Sequence, residues 1–406
     1  MSSDIVVKTW IGTALDDTAG AAAQADGVAA QFVQFVAQAA ARLDIAIYDW
    51  RLDPAQATPV VDALNALAAR GVAVRVAYFD QPPAKAAKAG RDGGDPTPGM
   101  RAADLARLHK DIERKAIAGV DVQDLPANVR KQPIEGGGHL MHSKYMVRDG
   151  NAVWMGSANF TTAAWSVQDN NIVQVRSPAL AACYSTDFDE LWQNGRIAGT
   201  GKNDTGSDTV DGSRIDCAFS PGDGSTIEKE IAGAIMGAQA TVHIASMVIS
   251  SGAILGALVD ALGRKVALTG VYDGPQMQVV LADWAKGGAA GKSAGKAQQW
   301  KVVAAQLVAK ASAPYTPAGP HNFMHNKLAV VDRRQVVTGS FNFSQNATHN
   351  AENVLDIHDP VVAGQYADYV EALVRTYRVR KPVARKSGKA PAKRPARKTS
   401  ARRRNG

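Results

Sequence analysis

Two stretches of this 406-residue chain carry the same set of reactive side chains. The first is His142-Ser143-Lys144 with Asp149, followed by Gly156-Ser157, Asn159 and Phe160. The second is His325-Asn326-Lys327 with Asp332, followed by Gly339-Ser340, Asn342 and Phe343. Each position in the second set lies 183 residues after its counterpart. An acid recurs at the same offset, Asp169 and Glu352, each followed by an asparagine, Asn170 and Asn353. The constant offset from His142 to Asn170 predicts that neither copy carries an insertion there.

These residue types fit one kind of chemistry. A phosphodiester resists hydrolysis because its negative charge repels nucleophiles and its alkoxide leaves poorly. A neutral imidazole can attack phosphorus and split the reaction into two easier steps through a covalent intermediate. A second imidazole can protonate the leaving oxygen and then take a proton from water. Two ammonium groups can neutralise the non-bridging oxygens as charge develops. Asparagine and serine add neutral donors, and an acid beside each imidazole would fix its tautomer and raise its basicity. A single His-x-Lys reads as a solvated strand edge. Two in-register copies, each with a Gly-Ser-x-Asn, need a polar reason.

The pattern, His-x-Lys-x4-Asp with a following Gly-Ser-x-Asn, resembles the signature of the phospholipase D superfamily. The resemblance is strongest over the two motif blocks and weaker over residues 40–380. It implies a phosphoric diester hydrolase in which His142 and His325 are nucleophile and acid/base. Lys144, Lys327, Asn159 and Asn342 would then bind phosphate, with Ser157 and Ser340 in support, and Asp169 and Glu352 would orient the imidazoles. By the family's habit His142 is the nucleophile. Asp149 and Asp332 would be scaffold, making a structural ion pair away from the phosphate. The resemblance also implies that two α/β/α halves, related by a pseudo-twofold axis, bring both motifs to one site in a monomer. It implies no cofactor. His139 and His321, just before the motifs, lack the spacing of a metal site, so no metal is expected.

The elements that must hold these residues repeat as well. Leu43–Tyr48 and Val72–Phe79 read as strands around a helix over Pro59–Arg70 that Gly71 stops. This βαβ unit predicts a parallel sheet. The plan recurs as strands at Val242–Val248 and Val266–Tyr272 around a helix at Ile254–Leu262. Their terminal acids, Asp80 and Asp273, read as counterparts. Ser177-Pro178 and Asp359-Pro360 each open a helix, with Tyr184 and Tyr366 six residues beyond the proline. The periodicity predicts a further helix at Met100–Gly119. The expected division is an α/β half over 1–198, a linker over 199–213, a second half over 214–380 and a disordered basic tail over 381–406.

Composition narrows the remaining choices. Cys183 and Cys217 are the only cysteines, which excludes a disulfide framework or a zinc cluster built on cysteine. The uncharged run Ile244–Val259 is too short and too interrupted to span a membrane, and the N-terminus has no signal-peptide pattern, so a cytoplasmic location is expected. The net charge is +8, but eleven Lys and Arg and no acid lie in 381–406, so the rest of the chain carries −3. The tail is therefore expected to bind polyanions through phosphate contacts, either nucleic acid or an anionic lipid surface. The residues leave the substrate open between phospholipid and nucleic acid. An endonuclease, and a non-catalytic nucleic-acid-binding protein on the same scaffold, stand as alternatives.

Overall fold

A computed structural model describes residues 3–80, 120–286, 293–315 and 319–379. The helix expected at 100–119 and the basic tail lie outside these residues. The first half contributes strands β1 (Ile5–Trp10), β2 (Arg42–Ile47), β3 (Trp50–Leu52), β4 (Ala73–Asp80), β5 (Val120–Asp121), β6 (Arg130–Glu135), β7 (Lys144–Arg148), β8 (Ala152–Gly156), β9 (Phe160–Thr161) and β10 (Asn170–Arg176). Its helices are α1 (Thr18–Ala37), α2 (Pro54–Ala69), α3 (Thr162–Ser166) and α4 (Pro178–Asn194). The second half contributes β11 (Gly206–Val210), β12 (Ser213–Ser220), β13 (Thr241–Ser246), β14 (Ala267–Asp273), β15 (Val308–Lys310), β16 (Lys327–Val331), β17 (Gln335–Gly339) and β18 (Glu352–His358). Its helices are α5 (Gly224–Gly237), α6 (Gly252–Gly263), α7 (Gly274–Lys286), α8 (Ala294–Ala304) and α9 (Pro360–Val379).

The strand orders of the two main sheets superimpose. The first runs β1-β10-β8-β7-β2-β4-β6, and the second repeats this as β12-β18-β17-β16-β13-β14-β15 with β11 added at one edge. Each sheet is mixed, which corrects the expectation of a parallel one. The βαβ units do give parallel pairs, β2 with β4 and β13 with β14. The motif strands instead enter as antiparallel hairpins, β7 with β8 and β16 with β17. A tight hairpin can join only antiparallel neighbours. The expected linker also needs correction, since residues 206–210 form β11, paired along β12.

Helices α4 and α9 lie between the two sheets in one shared core with Tyr145, Phe219, Leu328, Tyr366 and Tyr369. Separate apolar layers cover the outer faces. Phe32, Leu64 and Trp154 belong to that of the first half, and Ile231, Leu258 and Trp300 to that of the second. The start of α4 matches the reading of its sequence: Ser177 Oγ accepts from Leu180 N at 3.0 Å ahead of Pro178. Gly195 closes it in a left-handed conformation, with φ of 61°. No helix among the described residues is long and apolar enough to cross a membrane.

The segment joining the halves makes an unusual contact. Asp204 and Asp187, the latter on α4, are both buried; neither carboxyl oxygen of Asp204 has a hydrogen-bond partner among the described residues, and the two acids repel each other. Asp187 Oδ2 also accepts from Tyr145 Oη at 2.6 Å. Burial first, then neighbouring acids, pushes Asp187 well above the carboxylate range and Asp204 up to about 7. A folded-state value raised above the ordinary 3.8 means that the fold holds a proton the unfolded chain has lost. This contribution to stability is complete below pH ~4 and is lost as pH rises to about 7. Asp204→Asn should therefore flatten the fall of Tm between pH 4 and 7 and raise Tm at pH 8 by a few degrees. Thermal unfolding of both proteins across that range checks it, and an equal Tm change at every pH would contradict a raised Asp204 carboxyl.

Candidate active site

Each motif histidine immediately precedes a strand whose lysine turns inward. His142 and Lys144 are 5% and 1% exposed, and His325 and Lys327 are 6% and 1% exposed. The two lysines fold back alike. Lys144 Nζ donates to the His142 carbonyl, and Lys327 Nζ donates to the His325 carbonyl at 2.6 Å. The motif acids sit at the opposite ends of these hairpins. Asp149 accepts from the backbone N–H groups of Ala40, Ala41 and Arg42 at 2.8–2.9 Å. Asp332 accepts from those of Gln239, Ala240 and Thr241 at 2.7–2.8 Å. In place of the structural ion pair implied by the resemblance, each carboxylate gathers three backbone donors where the chain enters β2 or β13. These bonds hold both carboxyls below their usual range against the cost of burial.

The motif glycines mark close approaches. A Cβ on Gly156 would stand 2.2 Å from the Asn171 carbonyl oxygen, and one on Gly339 would stand 2.1 Å from that of Asn353. Only glycine lets β8 and β17 run so close to β10 and β18. Ser157 and Ser340 then pair with those strands, their Oγ atoms accepting from Asn171 N at 3.0 Å and Asn353 N at 2.9 Å. Asn159 and Asn342 are buried, and the Oδ1 atom of each has no hydrogen-bond partner among the described residues.

The halves exchange backbone bonds at the histidines. His142 N donates to Ala351 O at 2.8 Å, and His325 N donates to Asp169 O at 3.1 Å. Each histidine is thereby set against a strand start of the other half. His142 Nδ1 lies 2.7 Å from Glu352 Oε2. Glu352 is held in turn by Asn350 Nδ2 at 3.0 Å and by Ser340. His325 Nδ1 lies 3.0 Å from Asn170 Oδ1, which also accepts from Ser157 Oγ at 2.8 Å. With Nδ1 engaged, Nε2 is the nitrogen left for chemistry in each ring.

Asp169 does not reach His325, which corrects its expected role. Its carboxylate accepts from Gly12 N at 2.7 Å, from Tyr377 Oη at 2.6 Å and from Lys310 Nζ at 2.8 Å. The cause is a register slip. Gly156 pairs with Ile172 and Gly339 with Val354, so beyond the Gly-Ser motif the spatial offset is 182. Asn170 therefore occupies the place of Glu352, and Asp169 that of Ala351. The extra residue falls between Asn159 and Asn170, where the first half forms α3 and the second only a 3-10 turn, Gln345–Thr348. The acid–asparagine pair in both copies hid the slip, because the sequence still matches when shifted.

Asp80 and Asp273 are not equivalent in environment either. Asp80 is exposed at the end of β4. Asp273 is buried and accepts from Met324 N at 2.9 Å, ordering the approach to His325. Tyr48 was not singled out by the sequence. Its ring centre is 4.9 Å from that of His142 and 5.0 Å from Lys144 Nζ. No repeated signal pointed to it. His139 lies 5.3 Å, ring to ring, from His349, and His321 stacks on Tyr315 at 4.9 Å.

Burial dominates the electrostatics. It holds both imidazoles well below their usual range, and the Lys144 and Lys327 charges push the same way. Burial also lowers Lys144 to about 7 and Lys327 well below its usual value, and the two amines repel each other. Glu352 is pushed up to about 7 by burial against the attraction of the lysines. The arrangement is a buried cluster of bases whose mutual repulsion an anion would relieve.

The sequence profile of the family described as "Cardiolipin synthase, PLD-like domain" matches residues 32–192 and 231–374, more than half of the chain. The chain belongs to the phospholipase D superfamily. Its two matched segments each contain one His-x-Lys motif. A phospholipase D from Rickettsia felis is 51% identical over 43 residues, which span 10% of this chain and 22% of that protein. A phospholipase D from Rickettsia conorii is 49% identical over a stretch of the same length. Among solved structures, phosphatidylserine synthase from Haemophilus influenzae Rd KW20 has a TM-score of 0.56 at 13% identity, covering 91% of this chain and 86% of that one. That likeness is one of fold.

The geometry separates Asp169 from Asn170 experimentally. Asp169→Asn leaves Lys310 buried without its partner, a change that costs about 3–5 kcal/mol in such pairs. It should lower Tm strongly, and turnover by the folded fraction should change little. Asn170→Asp puts a carboxylate against His325 Nδ1 and should move the pH limb of that histidine up by about 1 unit with little loss of Tm. Calorimetry and the pH profile of kcat/KM on one soluble phosphodiester read both effects. A shifted pH limb in Asp169→Asn with unchanged Tm would reverse the assignment.

Proposed function

We propose that this protein hydrolyses phosphodiesters through a phosphohistidine formed on His142, with His325 as general acid and then general base. The observation that carries this is the unequal support of the two rings: Glu352 carboxylate behind His142, Asn170 amide behind His325. A carboxylate stabilises the positive charge that an imidazole acquires on bonding to phosphorus, as it does for an imidazolium. A neutral amide fixes the tautomer without raising basicity, which suits a group that must give up its proton. At rest both rings are held below their usual range by burial and the lysines. A bound phosphodiester anion offsets the lysine charge and lets His325 take up the proton it will donate.

In the first step His142 Nε2 attacks phosphorus, and the P–O bond to the leaving alcohol breaks as His325 protonates that oxygen. In the second, His325 takes a proton from water, the hydroxide attacks phosphorus, and His142 leaves. Lys144 and Lys327, with Asn159 and Asn342, meet the charge on the non-bridging oxygens in both steps, while Ser157 and Ser340 hold the flanking strands. Replacing either histidine by alanine should lower turnover of a soluble phosphodiester by at least ~10³-fold, by analogy with nucleophile and base deletions elsewhere. His325→Ala should accumulate phosphohistidine from a substrate with a good leaving group, because attack no longer needs the acid. His142→Ala should accumulate none. Rapid quench with detection of acid-labile phosphate on the protein decides this, and label in His142→Ala alone would exchange the roles.

The substrate class follows from the tail as well as the site. We infer a polyanionic substrate or surface, phospholipid or nucleic acid, because eleven cations and no acid lie in residues 381–406 of a chain otherwise at −3. The endonuclease reading is favoured to the extent that the tail engages DNA. Ending the chain at Arg380 should weaken DNA binding and reduce its salt slope, which on B-DNA is about 0.9 per phosphate neutralised. Turnover of a small soluble phosphodiester should not change. A panel of single- and double-stranded DNA, RNA, phosphatidylcholine and cardiolipin then names the class. DNA binding and salt slope equal to those of the full chain would remove the tail from the argument.

A further inference from the structure

The chain's two cysteines take no part in the site, yet they meet across the seam between the halves. Cys183 is on α4 of the first half and Cys217 is on β12 of the second. Each thiol donates to a backbone carbonyl, Cys183 Sγ to Ala179 O at 3.4 Å and Cys217 Sγ to Asp204 O at 3.9 Å, and both sulfurs face the bare position of Gly206. Cys183 Sγ crowds the bare backbone of Gly206, which is paired in register with Cys217 on the neighbouring strand. A Cβ on Gly206 would stand 2.4 Å from Cys183 Sγ and 4.0 Å from Cys217 Sγ. The absence of a side chain at that one position is what lets the sulfurs share the space.

We propose that Cys183 and Cys217 form an oxidation site that closes into a disulfide and staples the two halves together. Their environments assign them different parts. Cys183 is partly exposed, so a small-molecule disulfide can reach it, while Cys217 is 1% exposed and cannot be attacked directly. The neighbouring Cys217 lowers the Cys183 thiol against the effect of burial, and the neighbouring Cys183, followed by burial, raises the Cys217 thiol. A partly exposed, acidified thiol beside a buried partner is the arrangement of an attacking and a resolving cysteine.

With oxidised glutathione as the oxidant, the Cys183 thiolate attacks one sulfur, forming a mixed disulfide and releasing glutathione thiolate. Cys217 then gives up its proton and attacks Cys183 Sγ. The mixed disulfide breaks, the Cys183–Cys217 bond forms, and a second glutathione leaves. Two protein thiols are oxidised, one glutathione disulfide is reduced to two thiols, and the two protons end on the departing glutathiones. The bond closes a loop of about 35 residues, which restricts the unfolded chain. It also ties α4 to β12, elements that belong to opposite halves of a molecule whose reactive groups are shared between those halves.

The test uses the full chain, kept folded, with oxidised glutathione, followed by alkylation of remaining thiols, intact mass and peptide mapping. The expected protein has lost two hydrogens, takes up no alkylating reagent and yields one cross-linked peptide pair containing Cys183 and Cys217. Its Tm should rise by about 5 °C, a rise that dithiothreitol abolishes. Turnover of a soluble phosphodiester below the transition should be unchanged, since neither sulfur touches the site. Cys217→Ser should stop at one glutathione adduct on Cys183 with no gain in Tm. Stable adducts on both cysteines, disulfide-linked dimers, or two free thiols after an exposure that cross-links the urea-unfolded chain would each overturn the proposal.

Discussion

The contact between His142 Nδ1 and Glu352 Oε2 joins side chains 210 positions apart, one from each half. It exists because the backbone just before each histidine bonds to the other half, His142 N to Ala351 O and His325 N to Asp169 O. Neither half could build a working imidazole alone, since each supplies the ring and borrows its support. The shared core of α4 and α9 between two facing sheets is what makes the borrowing rigid. Tyr184 and Tyr366, at matching places on those helices, hydrogen-bond Asn353 and Asn171 of the opposite half, at 3.5 and 3.0 Å.

Such a site is expensive to hold. Two ammonium groups, two imidazoles and a carboxylate lie nearly out of water, and each buried ion costs several kcal/mol even after relaxation. The protein answers part of that cost by letting the groups shed charge: Lys144 and Glu352 both titrate near 7. What is left is a buried cluster biased toward an incoming anion. The motif acids Asp149 and Asp332 stay out of this cluster, at the far ends of the hairpins, where they accept from backbone amides.

The twofold repeat is broken behind the two histidines. One added residue between Asn159 and Asn170 replaces a carboxylate by an amide behind His325 and frees Asp169. That residue then ties the N-terminal segment, Lys310 and α9 together through Gly12, Lys310 and Tyr377. A duplicated scaffold thus acquires unequal histidines without changing a residue of either His-x-Lys motif.

The sequence by itself determined that the chain is a duplication, that two histidines and two lysines recur in register, and where most strands and helices lie. Hydrophobic period, proline and glycine placement, and caps such as Ser177 are local signals, and a local signal is enough to fix an element. The sequence also suggested the partners of the histidines, but it aligned Asp169 with Glu352. Only the tertiary structure decided that pairing. An imidazole takes whatever acceptor the opposing strand presents, and a one-residue change in a loop shifts which side chain that is. The meeting of Cys183 with Cys217 was hidden for the same reason, since contact across two halves depends on how they pack and leaves no periodic trace in the chain.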